Sequence, residues 1–210
     1  MARQERAEQT RQRLIEAAAA EFAAHGYAGT SLLGIVRSAG VTMGALTFHF
    51  SSKLALAEAV QGAGAAATRE VMHGTESAAG LQGVLGGALA LAAALNTTPS
   101  IRAAARFTRE GRGAEPNWYA SWVPQVREGL VREWPEKYRD SALTPSSATA
   151  FLTYLLAGFE ATATARDALR DATGGDSQGE LVQALQALTA LVSAAEPLCP
   201  GAGSALSAEG

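Results

Sequence analysis

The chain has 210 residues, 48% of them hydrophobic and 18% charged. That balance excludes a disordered chain and allows one sizeable core or two modest ones. A net charge of −3 gives no global basic signature, although residues 1–60 carry +1 and the remainder −4, a weak bias toward a polyanion partner at the N-terminal end.

The first residues, MARQERAEQTRQR, are charged throughout and lack the apolar core of a secretion signal. Arg3, Arg6, Arg11 and Arg13 fit a solvated helix face as well as a polyanion site. Leu14, Ile15, Ala18 and Phe22 recur at helical spacing, and Gly26 stands where a left-handed cap ends a helix. A second apolar stretch, SLLGIVRSAG, follows Thr30 and stops at Gly40. VTMGALTFHFSSK then predicts a very short helix capped by Thr42, and Ser51 or Ser52 opens another that carries Leu54, Leu56, Ala59 and Val60.

Beyond residue 75 the helices lengthen. Gly83–Leu95 (GVLGGALALAAAL) is the nearest approach to a membrane span, but it falls short of the ~20 residues a span needs and reads as a buried helix. Thr144 and Pro145 make a cap and first turn for a helix over Thr144–Arg166, with Phe151, Leu152, Leu155, Leu156 and Phe159 on one side. Ser177 and Glu180 fit a capping box ahead of Leu181, Leu185, Leu188 and Val192, spaced as in a bundle seam. The apolar stripes of these two helices, with Phe151 and Leu155 on the first, predict a dimer interface. Residues 197–210 are rich in Gly, Ser and Ala and predict a frayed tail. Cys199 is the single cysteine, so an intrachain disulfide and a thiolate metal cluster are excluded. The expected protein is all-α and cytoplasmic.

Three short helices with a glycine-containing turn between the second and third suit a helix-turn-helix, with Ile35, Val36, Val41, Leu46 and Phe50 as its small core. Thr42, Met43, Gly44 and Thr47 then face outward. Gly44 lets the backbone approach a groove edge, and Lys53 offers a point charge to a phosphate. An amphipathic helix trio with no nucleic-acid role fits the pattern equally well.

The stretch GYAGTSLLGIVRSAGVTMGALTFHFSSK resembles the signature of the TetR-family regulators, and GALxFHF after AGVT is similar to their γ-butyrolactone receptor subgroup. MARQERAEQTR and SIRAAARFTRE fit that subgroup too. The resemblance implies a homodimer: a DNA-binding headpiece over 1–52, a ligand-binding and dimerisation domain over 53–196, and a flexible tail over 197–210. It implies DNA contacts from Ser31, Thr42, Met43, Gly44, Ala45, Thr47, His49 and Lys53. Relatives carry Lys in place of Met43, Tyr in place of Thr47 and Glu in place of Gly34, so this headpiece is expected to bind DNA more weakly or with altered preference. The implied partners are double-stranded operator DNA and a small, largely apolar inducer. No cofactor and no metal are expected.

Trp118, Trp122 and Trp134 lie within seventeen residues of one another, with Tyr119 and Tyr138 nearby. Core packing explains any one of them; a pocket for an apolar ligand with a polar handle explains the concentration. By resemblance Trp122 matches a pocket tryptophan of the butyrolactone receptors. Trp118, Leu85, Leu89, Phe107, Tyr154 and Phe159 complete the candidate lining. Gly64 replaces a Gln of the relatives, which removes one polar contact and suggests a related or different ligand. Gly62 and Gly64 each lower helix stability by about 0.8–1 kcal/mol relative to Ala, and read either as a hinge or as compositional bias. GAGAAA mimics a dinucleotide fingerprint without a preceding strand to host it. His25, His49 and His73 form no metal or catalytic pattern, no GxSxG elbow is present, and the acidic residues read as solvated. An enzyme is therefore not expected. The competing expectation is a helical ligand-binding adaptor without DNA binding.

Overall fold

The structure, a computed structural model, describes residues 2–74, 81–112, 117–138 and 143–162, together with Gln183. Eight α-helices and no strand occur among these residues: α1 (Ala2–Gly29), α2 (Leu32–Ala39), α3 (Met43–His49), α4 (Lys53–His73), α5 (Leu81–Thr97), α6 (Pro99–Arg109), α7 (Val123–Glu133) and α8 (Pro145–Ala161). A 3-10 turn over Trp118–Ser121 leads into α7. The candidate interface residues Leu181, Leu185, Leu188 and Val192, the capping box at Ser177 and Glu180, and the tail lie outside the described residues.

Two apolar clusters organise the chain. The first gathers Leu14, Ile15, Ala18 and Phe22 of α1, Ile35 and Val36 of α2, Leu46 of α3, Phe50, and Leu56 and Val60 of α4. It also takes in Ala103 and Phe107 from α6, far along the chain. The second is built from α5, α6, α7 and α8 around Leu91, Leu95, Trp118, Trp122, Leu152 and Leu156. Helix α4 contributes to both clusters, with Leu56 and Val60 in the first and Met72 in the second. GAGAAA lies in the interior of this helix.

Glycine governs two features here. Gly26 has φ +70° and interrupts α1, which then resumes for one short turn, so the residue breaks the helix rather than ending it. Thr30 closes the break by donating to the Gly26 carbonyl at 2.8 Å and the Glu21 carbonyl at 3.1 Å. At Gly64 a Cβ would stand 2.3 Å from the Ser100 carbonyl oxygen and 2.7 Å from Ala104 Cβ. The absent side chain is what lets α4 and α6 touch. Gly62 faces open space.

Helix α8 divides into two faces. Leu152, Leu156 and Phe159 are buried, whereas Phe151 is 48% and Tyr154 76% exposed. The single apolar side expected from the sequence therefore splits, and Phe151 turns outward. Leu54 is likewise exposed rather than buried. Helix α5 is the buried helix expected of its Ala-rich stretch, with Ala88, Leu91 and Leu95 inside. Among the described residues no single helix is long and apolar enough to cross a membrane.

Candidate functional site

The turn between α2 and α3 is built by short-range chemistry. The Ser31 hydroxyl accepts from the Gly34 N–H at 3.0 Å and caps α2. Gly40, at φ +64°, terminates that helix in the left-handed region. The Thr42 hydroxyl accepts from the Ala45 N–H at 3.1 Å and starts α3. Buried Leu46 and Phe50 then fix the rotation of α3 against the first core. At 100° per residue Gly44 and Phe48 lie opposite them, Thr47 and Met43 follow along one flank, and all four are exposed. Ala45 and His49 are half-buried at the margin of this face.

Two residues depart from the sequence-based site. The Lys53 ammonium donates to the Tyr27 carbonyl and lies 4.5 Å from the Tyr27 ring centroid, so it is held by the α1 break. Phe48, absent from the expected contacts, is a large apolar side chain left 79% exposed. The available signal was spacing: Leu46 and Phe50 already fill the core, and Phe48 between them has to point away.

A second construction ties this unit to α6. Arg106 donates through Nη1 to the Ala23 and Ala24 carbonyls, at 3.0 Å each, and through Nε to Glu110 Oε1 at 2.8 Å. Glu110 Oε2 accepts from the Tyr27 N–H at 3.0 Å. These side chains satisfy backbone groups that the Gly26 break leaves without helical partners. Burial pushes the Glu110 carboxyl up, and the bonds from Arg106 and Tyr27 outweigh it, leaving the group below its ordinary value. Phe107 stands between them, 5.0 Å from Phe22 and 6.3 Å from Tyr27 by ring centroid. One turn on, Arg109 donates to the buried Glu160 of α8 through Nε at 2.8 Å and Nη2 at 3.3 Å. Glu110 and Glu160 are therefore not the solvated acids expected from the sequence; each is paired with an arginine of α6.

The tryptophans meet in the second core. Trp118 and Trp122 lie 5.5 Å apart, and both are essentially buried. The Trp118 indole donates to Thr68 Oγ1 at 3.0 Å, and that hydroxyl donates on to the Gly64 carbonyl at 2.8 Å. The Trp122 indole N–H, fully buried, has no hydrogen-bond partner among the described residues. Phe159 belongs to this cluster, and Leu85 and Leu89 pack at its edge. Phe107 is not brought there, because α6 turns it into the first core. Tyr154 is on the outward face of α8.

The family model for bacterial regulatory proteins of the TetR family matches residues 14–60, the span from the buried stripe of α1 to Val60. Over 124 residues the chain is 37% identical to the A-factor receptor protein of Streptomyces griseus, covering 59% of this chain and 44% of that one. The curated relatives are matched over less than half of their own lengths. Among solved structures, a TetR regulator from Streptomyces fradiae is 30% identical, with 90% of this chain and 80% of that one covered and a TM-score of 0.54. The chain belongs to the TetR family. A γ-butyrolactone receptor (24% identical, TM-score 0.68, 92% and 91% covered) has the same fold. So does CprB of Streptomyces coelicolor, solved with its operator sequence (25% identical, TM-score 0.62, 88% and 98% covered). Within the TetR family frame, α2 and α3 are the helix-turn-helix, and the second core is the larger helical body behind it.

Proposed function

We propose that the protein is a ligand-responsive transcriptional repressor that binds operator DNA as a homodimer through α3. The observation that carries this reading is the capped α2–turn–α3 unit, with Leu46 and Phe50 buried and Met43, Gly44, Thr47 and Phe48 exposed on one face. Similarity to CprB, solved on its operator, supports the DNA partner. In this reading the DNA-binding unit spans residues 1–52 and makes its contacts from Ser31, Thr42, Met43, Gly44, Ala45, Thr47 and His49. A dimer sets its two recognition helices about 34–36 Å apart, in successive major grooves of a near-palindrome. The outward face of α8, with Phe151, Tyr154 and half-buried Leu155, is the described part of the proposed dimer surface.

The inducer is a small, largely apolar molecule of butyrolactone type or a related metabolite. It docks beside Trp122, whose buried N–H supplies a donor for one polar handle. Similarity to the A-factor receptor supports this class. DNA and ligand then favour different conformers and weaken each other reciprocally. The relatives are regulators rather than enzymes, and a cytoplasmic protein acting on genes for secondary metabolism fits the whole pattern.

A gel shift with the DNA upstream of the protein's own gene tests the proposal. A discrete retarded complex, released by added γ-butyrolactones, is expected. A chain that binds the lactone and retards no DNA would instead be the helical adaptor.

A further inference from the structure

The exposed face of α3 has an unusual chemistry for a groove reader. The helix, MGALTFH, contains no Lys and no Arg. The commonest specific contact to guanine, a bidentate Arg or Lys on O6 and N7, therefore has no donor on this helix. It also lacks Asn, Gln, Asp and Glu, which read adenine and cytosine through hydrogen bonds. Lys53, the next cation along the chain, is occupied by the Tyr27 carbonyl and ring. What α3 presents instead is Met43 at 40% exposure, Phe48 at 79%, and Thr47 between them in rotation. The Thr47 hydroxyl donates back to the Gly44 carbonyl at 3.1 Å, so its proton is spent within the helix, and the residue is exposed. Gly44, in the middle of the arc, adds no side chain that would hold these groups off a base edge.

Resting on the reading of α3 as the recognition helix, we propose that this protein recognises its operator through thymine 5-methyl groups, with Met43 and Phe48 as the specificity-determining residues. A thymine methyl is the one apolar group on the major-groove edge, and contact with Phe or a Thr methyl is how it is read. Met43 and Phe48 stand about 140° apart around the helix, so they address bases on either side of Gly44 and Thr47. The operator is thus marked by A·T pairs at the positions under α3, chosen by methyl burial.

The test begins with selection of duplexes from a random library by the full-length protein. Each thymine of the selected site is then replaced singly by deoxyuridine, which deletes the methyl and keeps the pairing edge. Removal of a contacted methyl is expected to weaken binding about fourfold. Phe48→Ala and Met43→Ala are expected to bind the site more weakly and each to lose discrimination between thymine and uracil at its own position. Both residues are exposed, and uracil substitution leaves the protein untouched, so folding does not confound the result. A selected site bound equally well with uracil throughout would overturn the methyl readout and leave DNA binding standing. Equal uracil penalties in wild type and both variants would show that these side chains are not the readers. Recovery of no duplex at all would overturn this inference together with the DNA-binding proposal.

Discussion

Trp118 and Trp122 are one helical turn apart in the chain and meet different fates in the same core. Trp118 is bonded to Thr68 and through it to α4, so it holds helices together. Trp122 buries an indole N–H that no described residue accepts, and such a donor loses its water bonds with nothing in return. Trp122→Phe keeps most of the apolar volume and removes that donor. It is expected to leave dimerisation and DNA binding nearly intact and to raise the ligand concentration needed for release. Trp118→Phe, by contrast, strands the Thr68 oxygen and should lower the melting temperature. Thermal unfolding paired with ligand titration of the protein–DNA complex separates the two; a less stable Trp122→Phe with a normal ligand response would make it a core residue only. Glu110 supplies a pH dependence. Its carboxyl lies below its ordinary value of 4.5 in the folded chain, so the folded state binds fewer protons in the acid range. The stability it contributes is present above about pH 4.5 and lost as pH falls below it. Glu110→Gln should therefore flatten the acid limb of the melting-temperature profile, and an unchanged limb would mean the bonds to Arg106 and Tyr27 carry no weight.

At the level of helices, two glycines of α4 call for opposite outcomes. Gly62 is exposed, and a methyl there would have no heavy atom within 4 Å, whereas a methyl at Gly64 would meet the Ser100 carbonyl at 2.3 Å. Gly62→Ala should stabilise by about 0.8–1 kcal/mol, visible as a rise in melting temperature of about 2–4 °C. Gly64→Ala should destabilise by about 1–3 kcal/mol through overpacking against α6. If both substitutions stabilise, α4 and α6 do not pack closely at Gly64. The difference was hidden in the sequence, because Ser100, the neighbour of Gly64, lies two helices further along and helical spacing reports only one's own helix. Local signals were legible for the same reason. Ser31, Thr42, Ser52 and Thr144 all cap the helices they precede, since a cap acts within three residues. Helix α8 shows where periodicity misleads. Its row of large apolar residues looks like one stripe, but Phe151 and Tyr154 fall on the side that α7 and α6 do not cover. Phe151→Glu with Tyr154→Glu should leave the fold intact and shift the protein toward monomer in light scattering. A double variant still dimeric would place the interface elsewhere.

Across the whole molecule, α6 joins helices from both cores: α1, α4 and α8. Through Arg106 and Glu110 it holds the broken end of α1, through Ser100 and Ala104 it lies against Gly64 of α4, and through Arg109 it grips Glu160 on α8. None of these pairings was readable from spacing, because each joins residues 36 to 83 positions apart on different helices. The exposure of the proposed recognition face was largely legible: Thr42, Met43, Gly44 and Thr47 all stand exposed. Phe48 was legible only through its spacing between Leu46 and Phe50, since its residue type alone suggests core. Binding of DNA by this face underlies the proposed operator recognition and its release by ligand. Fluorescence anisotropy of a labelled duplex from the upstream region, titrated with wild type and with Gly44→Glu, addresses it directly. Gly44 is exposed and a side chain there meets only the Thr42 hydroxyl, at 3.8 Å, so the variant should fold normally while setting a carboxylate against the phosphates. Wild type should bind and Gly44→Glu should not, with unchanged circular dichroism; equal binding by the two proteins, or none by wild type, would contradict α3 as the recognition helix.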